Sequence, residues 1–215
     1  MKVQIMPDEQ RYSIPGETCR VVEEIKRSRF ITTVGYTPSE EEARAFIETI
    51  RAEFADASHH CWAFLVGCPG DTGRVGMSDD GEPHRTAGRP MLTVLTHCGV
   101  GDITAVVVRY FGGTKLGKGG LVRAYSGGVQ KALSELRLSE HVVYAALLLV
   151  VDYARVSMFK RMLPEFEVQV VSEDFGADVT YTLKLPKAKV DVFRLALDNL
   201  TNGEAQVEVI ASDEG

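Results

Sequence analysis

No apolar run in this 215-residue chain approaches the roughly 20 residues that a membrane span requires, so no span is expected. The four cysteines, Cys19, Cys61, Cys68 and Cys98, form no C-x-x-C pair. That removes the usual spacing of a structural zinc site and leaves reduced, partly buried thiols as the expectation, with no metal and no cofactor. The opening MKVQIMPDEQ carries no basic-then-apolar signal segment, so the expected location is the cytoplasm. No internal repeat or low-complexity tract is found. A formal net charge of -6 argues against wholesale coating of nucleic acid but not against one basic face. One absence is local: between Ile103 and Lys131 there is no Asp or Glu, against Arg109, Lys115, Lys118, Arg123 and Lys131.

That acid-free stretch organises the chain. ITAVVVRYF is a continuous, β-branched apolar run and predicts a buried central strand. Val122, Tyr125, Val129, Leu133 and Leu136 recur at helical spacing and predict an amphipathic helix. Between them lie Gly112, Gly113, Gly117, Gly119 and Gly120 with Lys115 and Lys118. A strand that feeds a glycine-rich, lysine-bearing turn into a helix N-terminus can hold an anion, because backbone N–H groups converge there and the helix end is partly positive. The candidate anion-binding set is Arg109, Tyr110, Gly112, Gly113, Lys115, Gly117, Lys118, Gly119, Gly120 and Arg123. The plainer alternative is a tight turn with solvated lysines. GGTKLGK fits the start of a P-loop, but Gly119 stands where a Ser or Thr would hold magnesium, which argues against an NTPase.

Taken in order, residues 1–16 read as a polar lead-in segment. Thr18–Ile25 and Arg29–Tyr36 predict an antiparallel strand pair. Ser39 predicts a helix cap, with Glu42 in capping-box position and Ala43, Phe46, Ile47, Ile50 and Phe54 on the buried face. His59–Gly67 and Arg74–Met77 predict a hairpin, SDDGEPHRTAGRPML a long loop, and Pro90 the first turn of a short helix ended by Gly99. The first part thus reads ββαββαβα. After Arg137–Glu140 the pattern restarts as βαββαβ, a ferredoxin-like order. Two α+β domains are expected, 1–139 and 140–215.

Three further features carry possible chemistry. Asp79, Asp80 and Glu82 cluster in SDDGE, either as a solvated acidic loop or as carboxylates for cation or acid–base work. His59, His60 and Cys61 lie on a strand, where alternation sends His59 and Cys61 to one face and His60 to the other. They read as packing and polar surface, or as a Cys–His pair. Asp174-Phe175-Gly176 reads as a hairpin turn, since no kinase catalytic loop accompanies it.

KRSRFIT, SHHCWAF, SDDGEP with TAGRPML, and VVVRYFGGTKLGKGGLVRAYS resemble the IMPACT family, in its bacterial YigZ-like branch. The resemblance is dense over roughly Lys26–Lys131. It implies a first domain like domain IV of elongation factor G (a ribosomal-protein-like βαβ fold), a second like that factor's domain V, and a setting in translation or its regulation. One departure is visible: the family tends to a small Ser-Gly where this chain has His84-Arg85. The leading expectation is a non-enzymatic cytosolic binding protein for RNA, a ribosome-associated partner or another phosphate-bearing ligand. The rival is a small-molecule enzyme, in which the SDDGEP loop, the HHC strand and the glycine turn would meet around one pocket.

Overall fold

The structure is a computed structural model and describes residues 10–212. The chain divides into two compact units between His141 and Val142. Of the predicted lead-in segment, residues 1–9 lie outside the described residues, and Arg11–Pro15 forms strand β1.

The first unit is built on a five-stranded antiparallel sheet of order β2-β3-β6-β4-β5: β2 Cys19–Ile25, β3 Ser28–Tyr36, β4 His59–Leu65, β5 Val75–Ser78 and β6 Ile103–Tyr110. β6 lies in the middle and is covered on both faces, which is why its sequence is apolar without alternation. Val106 and Val108 face helix α1 (Glu40–Glu53) with Ile31, Ile47 and Phe64. Ala105 and Val107 face α2 (Gly88–His97) and α3 (Lys118–Glu135), with Met91, Leu95, Tyr125 and Val129. Each fully buried Val, Leu, Ile, Phe or Met side chain among these contributes about 1.5–3 kcal/mol of transfer free energy.

Helix α1 begins as its sequence predicts: Ser39 Oγ accepts the Glu42 amide at 3.2 Å and donates to the Glu42 carboxylate at 3.0 Å. The buried stripe of α3 is Leu121, Ala124, Tyr125, Gly128, Val129 and Ala132, while Val122 and Leu133 are only half-buried. The stripe turns toward its small residues because the helix lies close on β3: a Cβ at Gly128 would meet Thr32 Oγ1 at 2.5 Å. The Arg137–Glu140 segment, expected to be a link, enters strand β7 (Leu138–Val142), which pairs with β1.

The second unit runs β8 (Tyr144–Val151), α4 (Val156–Met162), β9 (Gln169–Phe175), β10 (Val179–Pro186), α5 (Val190–Thr201) and β11 (Gln206–Ser212). This is the expected βαββαβ order, and the sheet is β11-β8-β10-β9. Alternate residues of β8 and β10 are buried with Phe159, Phe193 and Leu197 of the helices. Asp174 and Phe175 belong to β9, and the turn begins only at Gly176, whose amide bonds the Asp178 carbonyl. The chain is therefore α+β with two separately cored units.

Candidate functional site

A cleft of about 420 Å³ in the first unit is where the three motifs meet. The SDDGEP loop contributes Glu82 and Pro83, the HHC strand His59, and β6 with the glycine turn Arg109, Phe111, Lys115, Leu116, Gly117 and Lys118. Its volume falls in the range of about 300–1,000 Å³ typical of small-molecule sites.

Strand alternation decides which candidates reach it. Arg109 shares the α3-facing side of β6 with Ala105 and Val107. Tyr110 falls on the opposite side, packed with the α1 cluster, where its hydroxyl donates to Asp56 at 2.7 Å. Tyr110 is thus outside the cleft, and so is Arg123, an exposed residue of α3 that is not among the lining groups. Arg109 is not a solvated phosphate clamp either. Its Nη1 donates to Glu82, the two side chains being only 6% and 3% exposed. Tyr125, expected on the apolar helix face, donates its hydroxyl to Glu82 Oε1 at 2.8 Å. Burial, aided by Cys61 and Glu82, raises the Tyr125 phenol far above its ordinary value, so it remains a donor. Ser28 Oγ accepts from the Gly112 amide at 3.2 Å and lies 3.4 Å from Arg109 Nη2. Neither Ser28 nor the Tyr125–Glu82 bond had a sequence signal beyond being a polar group at a core position.

His59 and His60 part as alternation requires. His59 Nδ1 lies 2.8 Å from the Asp80 carbonyl, an acceptor only, so Nδ1 carries the proton and a neutral ring leaves Nε2 bare, 3.9 Å from Glu82 Oε1. His60 Nε2 donates to the Phe54 carbonyl at 2.9 Å at the end of α1. Cys61 donates its thiol to the Asp79 carbonyl at 3.0 Å. Burial, reinforced by Glu82, Asp80 and Asp79, pushes that thiol up to about 12, although a Tyr125 hydrogen bond opposes the shift. A thiolate nucleophile is not formed there at neutral pH.

The acidic loop is ordered by its own carboxylates. Asp79 Oδ1 accepts the amides of Ala87 and Gly88 at 3.0 and 2.9 Å, and Oδ2 that of Arg85 at 2.8 Å. It thereby caps α2, whose own N-cap, Ala87, has no side chain able to do so. Asp80 accepts the His60 amide at 2.6 Å. Gly88 is required by close approach, since a Cβ would lie 2.9 Å from the Ser78 backbone. His84 and Arg85 point to solvent and do not line the cleft, but Arg85 sits at φ 62°, where a glycine would be unstrained. Among the described residues, no group of three His, Cys, Asp or Glu is placed to hold a metal ion.

For Asp79, burial opposes the charge, but the three amides and nearby His84 outweigh it and hold the carboxyl below its ordinary 3.8. A depressed native value means that this stabilisation is complete above the unfolded value and is lost as pH falls through the native one. Asp79→Asn should therefore lower stability at pH 7 by about 1–2 kcal/mol. The gap from wild type, followed by thermal unfolding, should narrow below about pH 4 as the wild-type carboxyl protonates.

The glycine turn delivers an open helix end. Gly117, at φ 77°, precedes α3, no side chain caps the helix, and its first turn has no acidic residue. The first helical bond is Leu121 N–H to the Gly117 carbonyl, so the amides of Lys118, Gly119 and Gly120 have no intrahelical acceptor. Gly113, also at positive φ, and Gly112 shape the approach. Lys115 and Lys118 are exposed and have no acidic partner among the described residues. Phe111 is 51% exposed at the cleft, with the Arg109 guanidinium 5.5 Å from its ring centroid.

Comparison with known proteins places this architecture. Residues 26–133 match the Impact N-terminal domain, and residues 149–204 match a Domain of unknown function (DUF1949). The chain is 44% identical over 201 residues to the IMPACT family member YigZ of Escherichia coli (strain K12), covering 94% of this chain and 98% of that one. An IMPACT family member of Haemophilus influenzae is 39% identical over 203 residues, with the same coverage, 94% and 98%. A solved structure described as the crystal structure of a hypothetical protein superposes with a TM-score of 0.65 at 43% identity, over 98% of this chain and 100% of that one. The glycine turn, the HHC strand and the SDDGEP loop all lie inside the matched N-terminal domain, and the chain belongs to the IMPACT family.

Proposed function

We propose that the chain binds a phosphate-bearing ligand, RNA above all, with a phosphate at the N-terminus of α3. The observation that carries this reading is the uncapped helix end opening on a cleft that also holds an exposed aromatic ring and two ammonium groups with no acidic partner among the described residues. The helix amides and lysines suit phosphate oxygens, and Phe111 suits the face of a base. In this reading the protein acts in the cytoplasm, in translation or its regulation, and its two units are counterparts of domains IV and V of elongation factor G. No described helix is long and apolar enough to cross a membrane.

Binding of single-stranded RNA, measured by fluorescence anisotropy across a salt series, should weaken steeply as salt rises. Lys115→Ala with Lys118→Ala should flatten the log–log slope by about 1.4, two cations at about 0.7 each. Unchanged slope and affinity in the double variant would remove the reading.

The convergence of His59, Glu82 and Arg109 on the same cleft, with Tyr125 bonded to Glu82 behind it, supports a second reading, catalysis on a small phosphorylated molecule, with the bare Nε2 of His59 as proton acceptor. Mass spectrometry of ligands that co-purify discriminates the two. A compound that accumulates on His59→Gln and not on the wild type is a substrate, whereas equal occupancy leaves binding alone.

A further inference from the structure

The charges of the cleft do not cancel. Arg109 and Glu82 neutralise each other, and the carboxylate's Oε1 is already engaged by Arg109 and Tyr125, so it presents little free negative charge to an incoming anion. Lys115 and Lys118 remain, together with the partial positive charge of the α3 end. Arg109 also has a donor in hand. The residue is only 5% exposed, it lines the cleft, and its Nε, itself buried, has no partner among the described residues. A buried arginine with a spare N–H is incomplete without an acceptor nearby.

Gly119 points the same way. A glycine within a helix costs about 1 kcal/mol relative to alanine. Neither of the usual reasons holds here: no positive φ is required, and nothing lies within 4 Å of the position a Cβ would take. Gly119 is the second residue of α3, one of the three whose amides are free.

Resting on the phosphate reading of this cleft, we infer that the seated group is a dianionic phosphomonoester, the phosphate end of a nucleotide or of an RNA strand, and not an internal phosphodiester. A monoester carries a charge of about -1.5 to -2 at neutral pH and offers three terminal oxygens, whereas an internal diester carries a single charge on two. Two ammonium groups and a fan of amides match the former. The shape agrees. The Arg109–Glu82 pair is buried behind the opening, so a terminal group enters end-on while its base lies against Phe111.

The test compares one short oligoribonucleotide, labelled at its 3′ end, carrying either a 5′-phosphate or a 5′-hydroxyl, with calorimetric titration of adenosine 5′-monophosphate against adenosine as the small-molecule arm. The phosphorylated strand, the nucleotide or both should bind at least about tenfold tighter than the unphosphorylated counterpart, as expected for a charge-assisted contact. Lys115→Ala with Lys118→Ala should erase the difference. A preference in the strand arm identifies an RNA end, and one confined to the nucleotide arm identifies a free metabolite; both support the inference. Equal affinity of the two strands, reduced in the double variant, with no nucleotide binding, would overturn it and leave the broader phosphate reading standing. No binding in either arm would remove both.

Discussion

Glu82→Gln should destabilise the first unit by about 3–5 kcal/mol, because it leaves the Arg109 cation buried without a counter-charge. The other groups around the guanidinium cannot make up the loss. Ser28 Oγ is a neutral acceptor at 3.4 Å, and the Phe30 ring centroid lies 5.4 Å from the guanidinium carbon. A thermal scan should show the midpoint falling by roughly 10 °C or more. Replacing both members, Glu82→Gln with Arg109→Met, should cost less than Glu82→Gln alone, since no isolated charge then remains. A single-variant loss below about 1 kcal/mol, the range of exposed ion pairs, would show that the pair is not sequestered from water. The carboxylate that the sequence offered as an acid–base candidate is therefore expected to hold the cleft together before it does any chemistry.

The glycine turn should split in its response to substitution. At Gly112 an added Cβ would lie 1.9 Å from the Arg27 carbonyl oxygen and 2.0 Å from its carbon. Those atoms belong to the tight turn between β2 and β3, where Lys26 and Arg27 both hold positive φ, 48° and 65°, and have little freedom to retreat. Gly112→Ala should cost about 3 kcal/mol or more, at the upper end of overpacking penalties, and is expected to prevent accumulation of folded protein. Gly119→Asp should do the reverse. The position is open, and an acid in the first turn satisfies free amides and complements the helix dipole, so stability should rise by about 0.5–1.5 kcal/mol. The same carboxylate would occupy the proposed anion seat, so phosphate-dependent binding should fall at least about tenfold. A stabilised variant with unimpaired binding would show that the ligand sits elsewhere.

Much of this architecture was legible because strong periodic patterns coincide with real burial. The unbroken apolar run of β6, the Ser39 and Glu42 capping signal and the βαββαβ order of the second unit follow from local chemistry that the tertiary structure does not override. β1 and β7 escaped because each is short, polar and dependent on a partner more than a hundred residues away, so neither has a local signature. At the cleft, the sequence marked the right segments and misjudged individual side chains. Arg109 looked like a solvent-facing binding group, yet strand alternation turns it inward onto Glu82, while Tyr125 is buried on the apolar helix face as expected and only its bond to Glu82 went unread. Which carboxylate of SDDGE meets water could not be read from spacing, since Asp79 is tied up by amides six to nine residues further along.

The Asp79 cap has a consequence for how the molecule opens. An acidic stretch punctuated by glycine and proline is ordinarily where a chain frays first and where a protease finds purchase. Here the stretch is stitched to α2 through Asp79 and to β6 through Glu82, so it can let go only together with the helix and central strand it fastens. The residues that look most like a nicking site are thus tied to the most deeply buried strand of the first unit.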